Sequence, residues 1–255
     1  MKHFKLTKES KVNANGGRLF RIKATVDSAH AKKGELGGFV ESEENVSDNA
    51  WVFGNAMVYG DARVFGNARV YGDARVSDNA RVFGNARVSD NALVYGDAWV
   101  SDNALVSDNA RVSDNAWVYG DAWVSDNALV YGDARVSDNA WVYGNARVFG
   151  NARVSDNARV YGNALVSDNA RVYGDARVYG DARVSGDAMT LNFKYNLTLT
   201  DNHIIYGCEI KTVEEWDKWL ESKEVIETPR CHKDFKIIEM SLKLAIEYRK
   251  LNPIK

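Results

Sequence analysis

The sequence predicts a mainly β solenoid, short strands wound into repeating coils, with a separate cap at each end. Three observations carry this. Valine recurs at every sixth position from Val46 to Val184, which makes 24 units. Alanine keeps the same spacing from Ala50 to Ala188. No insertion, deletion or proline breaks the register over residues 46–189. A fixed short period of this kind is the mark of a quasi-one-dimensional repeat architecture.

Read from each valine, the unit is V-[S/F/Y]-[D/G]-[N/D]-A-[R/W/L/M]. Helices need apolar residues about every 3.6 positions, and the array does not supply them. Ala-x-Val places two apolar residues two apart, hence on one face of a short strand. The residues on either side of the valine then face outward. Asp-Asn, Gly-Asp or Gly-Asn follows as a corner, since these residue types accept positive φ or close an Asx-turn at little cost. Strands stacked on equivalent strands of neighbouring coils satisfy the backbone polar groups.

Units such as Val70-Tyr-Gly-Asp-Ala-Arg75 resemble the hexapeptide repeat of left-handed parallel β-helices. The resemblance implies triangular coils of three units, so eight coils, roughly 38 Å tall at ~4.8 Å per coil. That family often has Gly directly after the aliphatic residue, whereas here Gly or Asp comes one position later.

The chain therefore divides into a cap at 1–45, the array at 46–189 and a second cap at 190–255. In the first cap, Leu19–Val26 alternates like a strand and follows the turn signal Asn15-Gly-Gly17. Val40 is already in the array's register. The open end of a solenoid exposes strand edges, and this segment is expected to cover them. In the second cap, Asn196–Thr200 and His203–Tyr206 flank Asp201-Asn202 and read as a hairpin. Thr212-Val-Glu-Glu215 is a capping box that opens a helix through Trp216 and Trp219. A second helix starts near Asp234. Its stripe of Phe235, Ile238, Leu242 and Ala245 is broadened by Ile237, Met240, Leu244, Tyr248 and Leu251 into what reads as one wide buried face. This cap could also join subunits.

Both ends carry a further resemblance. "LFRIKATVDSAHAKKGELGGFVESEENVS" and "YGCEIKTVEEW" are similar to the ends of poorly characterised bacterial and bacteriophage hexapeptide-repeat proteins, many labelled acyltransferases. The resemblance implies a phage or prophage origin. It brings little chemistry, because the group's activity is itself inferred from fold.

Units three apart should stack, which sorts the residue before each valine into three columns. The first runs Asn45, Arg63, Arg81, Trp99, Trp117, Arg135, Arg153, Arg171. The second runs Trp51, Arg69, Arg87, Leu105, Trp123, Trp141, Arg159, Arg177. The third alternates Met or Leu with Arg, from Met57 to Arg183. The array holds 13 Arg and 18 Asp, a net of −5, and corner aspartates are expected to relieve repulsion down the arginine columns. Most arginines then read as solvated ladders. The tryptophans read differently. Trp99, Leu105, Trp117, Trp123 and Trp141, rimmed by Arg87, Arg135 and Arg159, form a candidate interface, because Trp and Arg are favoured anchors of buried contacts. The same patch could instead stack a base on Trp or Tyr and hold phosphate on Arg.

Catalytic signals are sparse. The acyltransferases of the superfamily imply an acyl-CoA donor and a histidine base in or beside the coils. All four histidines (His3, His30, His203, His232) fall outside the array. His30, near the first coil, is the weak candidate base. His203, Cys208, Cys231 and His232 have the residue types of a zinc site, but their spacing matches no recognised finger. The three-histidine zinc pattern of the β-helical carbonic anhydrases is absent. There is no phosphate-binding glycine loop. Net charge is −2, so nothing favours nucleic acid or an acidic membrane. No apolar run resembles a signal peptide or a membrane span, and two cysteines read as reduced thiols of a cytoplasmic protein, the host's cytoplasm for a phage product. The reading is a non-catalytic β-helical binding or scaffold protein without a cofactor. It would be a homo-oligomer, with a trimer implied by the resemblance. A host protein or a small anionic, nucleotide-like ligand would be its partner. The alternative is a hexapeptide-repeat acyltransferase with acyl-CoA bound between subunits.

Overall fold

A computed structural model describes residues 2–185, 189–192, 196–206, 209–222 and 233–251. The array is a parallel β-solenoid. Each unit contributes a two-residue strand, and strands 18 residues apart pair in parallel, as Trp99–Val100 does with Trp117–Val118. Three sheets result, and their members match the three columns read from the sequence. The first face runs from Arg63–Val64 to Arg171–Val172, with Val46 bridged to Val64. The second runs from Trp51–Val52 to Arg177–Val178, and the third from Met57–Val58 to Arg183–Val184. Every valine from Val46 to Val184 and every alanine from Ala50 to Ala182 is buried, forming one continuous core.

The corners explain how Ser-Asp and Phe/Tyr-Gly can alternate. The bend needs positive φ at the third residue of the unit. Glycine meets this at no steric cost, with φ of 70° at Gly120. At ten units an aspartate does so instead, with φ between 54° and 60°. Asp is among the few residues that visit this region, and here it is held by added bonds. Asp126 Oδ2 accepts the Gly144 N–H of the next coil at 2.9 Å, and Asp102 Oδ2 accepts that of Gly120 at 3.2 Å. The preceding serine often donates to the same carboxylate, as Ser89 does to Asp90 at 2.7 Å. The following Asn builds amide ladders: Asn109, Asn127, Asn145 and Asn163 each donate to the next, and Asn163 ends on Asp181 Oδ1 at 3.1 Å. A carboxylate cannot donate onward, so Asp closes a ladder.

The N-terminal cap extends the third face. Strand β1 (Phe4–Val12) pairs antiparallel with β2 (Arg18–Ala24), β2 with β3 (Leu36–Val40), and Val40 then pairs in parallel with Val58. Gly37 and Gly38 let β3 lie close to the first coil. A Cβ at Gly37 would stand 2.5 Å from the Val52 carbonyl oxygen, and one at Gly38 2.6 Å from that of Ala56. Two outward expectations are corrected here. Trp51 is fully buried, in ring contact with His3 and Phe4, because the β1 end of the cap covers it. Asn45 is buried too, and its amide donates to the Gly60 and Ala62 carbonyls, closing the first coil.

At the other end, Asn196–Leu199 and Ile204–Tyr206 form the expected hairpin, joined by strands Met189–Asn192 and Glu209–Lys211. Its turn seals the last coil: Asp201 N–H donates to the Arg183 carbonyl and Arg183 N–H to Asn202 Oδ1. Helix α1 (Val213–Glu221) starts on the Thr212 capping box, where Glu215 Oε2 accepts the Thr212 N–H at 2.8 Å. Those bonds hold the Glu215 carboxyl below its usual value. Helix α2 (Lys233–Leu251) packs Phe235, Ile238, Leu242, Ala245 and Ile246 inward with the hairpin and α1. The single wide buried face is corrected: Ile237, Met240, Leu244, Tyr248 and Leu251 are exposed, since α2 is packed on one side only.

The corner account predicts that Asp126→Ala destabilises more than Asp126→Gly. Alanine keeps the left-handed strain of about 1–2 kcal/mol and loses the carboxylate bond, whereas glycine loses only the bond. Hydrogen exchange at the Gly144 amide should be faster in both variants than in the parent, and faster in the alanine variant.

Candidate functional site

The candidate residues lie on two different faces. On the first, Trp99 and Trp117 stack with ring centroids 4.9 Å apart and planes 4° from parallel. Arg81 lies over Trp99 and Arg135 over Trp117, each at 5.0 Å. The column is thus Arg-Trp-Trp-Arg, a stack closed at both ends by a cation over a ring face. Arg81 was not among the sequence candidates, although it stands one coil before Trp99 in the same column.

On the second face, Trp123 and Trp141 meet edge-to-face at 5.1 Å. Arg159 lies over Trp141 at 4.9 Å, and Trp123 Nε1 donates to Ser107 Oγ at 3.3 Å. Leu105 precedes Trp123 in the column, and Arg87 precedes Leu105. The candidates therefore form two separate ladders, and each ring is partly covered by its own column. Trp117, Trp123 and Trp141 each keep 37% of their surface exposed.

The residue after each valine builds further ladders of its own. Tyr143, Tyr161 and Tyr179 stack at 4.9 and 5.1 Å. Burial raises the Tyr161 hydroxyl above the usual tyrosine range, with Tyr143 adding to it.

The arginines are not neutralised as the composition suggested. The ion pairs that join two described residues lie in the caps, such as Arg21–Glu9 and Lys250–Asp217, and none of them involves an array arginine. The corner aspartates are spent on backbone amides, serines and asparagines, and they line the edges of the prism rather than its faces.

The weak catalytic candidates are not gathered. His30 Nε2 lies 3.2 Å from the Asn67 carbonyl oxygen, and His3 Nε2 lies 3.0 Å from that of Ala50, so both ring nitrogens face backbone. His203 Nδ1 is buried without a partner beside the hairpin turn. Cys208, Cys231 and His232 lie outside the described residues. Among the described residues no three His, Cys, Asp or Glu side chains could share a metal ion, and no helix is long and apolar enough to cross a membrane.

Coils, corners and ladders together define the class: the chain belongs to the parallel β-helix family of β-solenoid repeat proteins. Within it, the array matches the family model described as the YdcK β-solenoid repeat, in twelve overlapping segments that span residues 62–102 and 104–189. No curated protein matches the sequence significantly. Matching solved structures include a Bacillus cereus protein described as a "putative acetyltransferase". It is 12% identical, with a TM-score of 0.43 over 72% of this chain and 93% of that one. A likeness so distant carries no argument about activity.

The Arg-Trp-Trp-Arg stack makes a quantitative prediction. A double-mutant cycle on Trp117→Ala and Arg135→Met should give a coupling of about 0.5–1 kcal/mol in chemical denaturation. The same cycle with Arg87, on the other face, should give none.

Proposed function

We propose that this chain is a non-catalytic binding or scaffold protein that self-associates and offers fixed arginine, tryptophan and tyrosine ladders to a partner. The observation that supports it is the Arg81–Trp99–Trp117–Arg135 stack. Side chains held by their own column lose little freedom on docking, so the entropic cost of binding there is small. Trp and Arg are also the residues that contribute most at buried contacts.

Self-association is better carried by α2 than by the tryptophans. Met240, Leu244 and Leu251 are 64%, 57% and 72% exposed, against 37% for each of the three most exposed tryptophans. They lie on one stripe beside a charged edge that alternates in sign: Lys236, Glu239, Lys243, Glu247, Lys250. A second α2 laid antiparallel about Leu244 would bring Lys243, which pairs with Glu239 of its own helix, near Glu247 of its mate, while Lys250 stays on Asp217 of α1. The occupant that fits the stripe is therefore a second copy of this chain. Such a pair is two-fold, whereas the family resemblance implies a trimer. An acyltransferase with acyl-CoA held between subunits is the alternative, with His30 as its base. The backbone contact of the His30 ring gives that alternative no support.

Native mass spectrometry tests the reading. The parent should be an oligomer without bound CoA. Leu244→Ser with Leu251→Ser should return it to one chain, and Trp123→Ser with Trp141→Ser should leave the mass class unchanged. The reverse pattern would move the contact to the second face. A monomeric parent would overturn self-association.

A further inference from the structure

The longest unbroken run of arginines on any face is Arg135, Arg153 and Arg171, paired strand to strand on the first face. Like charges on adjacent strands repel, by roughly 1 kcal/mol at 4 Å even in water. Arg135 is held over Trp117, but Arg153 and Arg171 are exposed and have no hydrogen bond, ion pair or ring contact. Other adjacent pairs differ. Arg81 of one pair lies over Trp99, Arg159 of another lies over Trp141, and Arg69 of a third has its Nε buried. Arg153 and Arg171 alone are an adjacent pair with both guanidiniums exposed and uncommitted.

These two arginines line an open surface cleft of about 350 Å³ with Ser155, Asp156, Val172 and Tyr173. The volume lies at the low end of the range for small-molecule sites, ~300–1,000 Å³. Tyr173 is 49% exposed, because Ser155 precedes it in its column and supplies no ring to stack on. Asp156 Oδ2 is occupied by the Gly174 N–H at 3.0 Å and the Ser155 hydroxyl at 3.5 Å, while Oδ1 has no partner. The cleft thus offers two adjacent cations, one open aromatic face and one carboxylate oxygen ready to accept a hydrogen bond.

We infer that this cleft is a binding site for a nucleoside monophosphate or a similar aryl phosphate. Arg153 and Arg171 hold the phosphate, Tyr173 lies against the ring, and Asp156 Oδ1 accepts from a ribose hydroxyl or a ring N–H. Each element answers one part of the ligand: charge-assisted bonds for the phosphate, ring contact for the base, an acceptor for the sugar or base edge. Neither inorganic phosphate nor a nucleoside alone would use all three. The inference rests on the binding reading above and gives it a site and a ligand class.

The test is calorimetric titration of the full-length protein with AMP, inorganic phosphate and adenosine, at low and high salt. AMP should bind once per chain, more tightly than either half and more weakly as salt rises. Arg153→Ala and Arg171→Ala should each weaken it about tenfold or more, and Tyr173→Ala about three- to tenfold. Arg63→Ala, on the same face at the other end of the array, should leave it unchanged. Circular dichroism of the variants should match the parent, since all these side chains are exposed. Equal affinity for adenosine, AMP binding indifferent to both arginine substitutions, or no binding of AMP to the parent would each overturn the site. Self-association and the tryptophan ladders do not depend on AMP, so that failure leaves the scaffold reading standing, while a monomeric parent fails that reading alone.

Discussion

The structure depends on one constraint: each strand finds its hydrogen-bond partner one coil away, at a fixed distance along the chain. Arg87 N–H donates to the Ala104 carbonyl and Ser89 N–H to the Val106 carbonyl, each at 2.9 Å, and the pattern repeats from the first coil to the last. Strands of two residues have almost no pairing energy of their own. They persist because every backbone group in them is satisfied by the same offset. One inserted residue would turn the inward valine of its unit outward, so the unbroken six-residue period is a condition of the fold.

That constraint reaches the side chains. Equivalent positions in successive coils sit in paired register, so each side chain meets whatever stands at the same position one coil away. Asparagine amides chain, tyrosine rings stack, Trp99 lies face to face on Trp117 and Trp123 meets Trp141 edge-to-face. Charged residues have no such benefit, and arginines stacked on arginines repel. Part of that strain is relieved where a tryptophan replaces an arginine in the column, because its ring accepts the neighbouring guanidinium on its outer face. Where no ring is supplied, as at Arg153 and Arg171, charge is left facing solvent. The same periodicity that builds the coils thus decides where charge is left uncovered.

The caps answer a different problem, that of ending the coils without bare edges. The N-terminal cap does so by continuing one sheet with antiparallel strands and burying Trp51 and Asn45, the first members of two columns. The C-terminal cap seals the last coil with a hairpin turn and then carries a helix packed on one side. Its stripe of Met240, Leu244 and Leu251 is left facing solvent.

By itself the sequence determined the solenoid, its 24 units, the three columns, the inward valines and alanines, the corner chemistry and the two caps' main elements, because each is a local or strictly periodic property. Strand β1 escaped it, since Phe4–Val12 carries four charged residues and pairs only through tertiary contact. The tertiary structure decided what depends on distance between side chains. It showed that the tryptophans of the two columns pack only within their own column, stacked on one face and edge-to-face on the other, among the described residues. It took the corner aspartates away from the arginines, because the backbone of the next coil lies closer to them. It left half of the α2 apolar surface uncovered, because hydrophobic spacing reports which residues are apolar and not how many neighbours the fold provides.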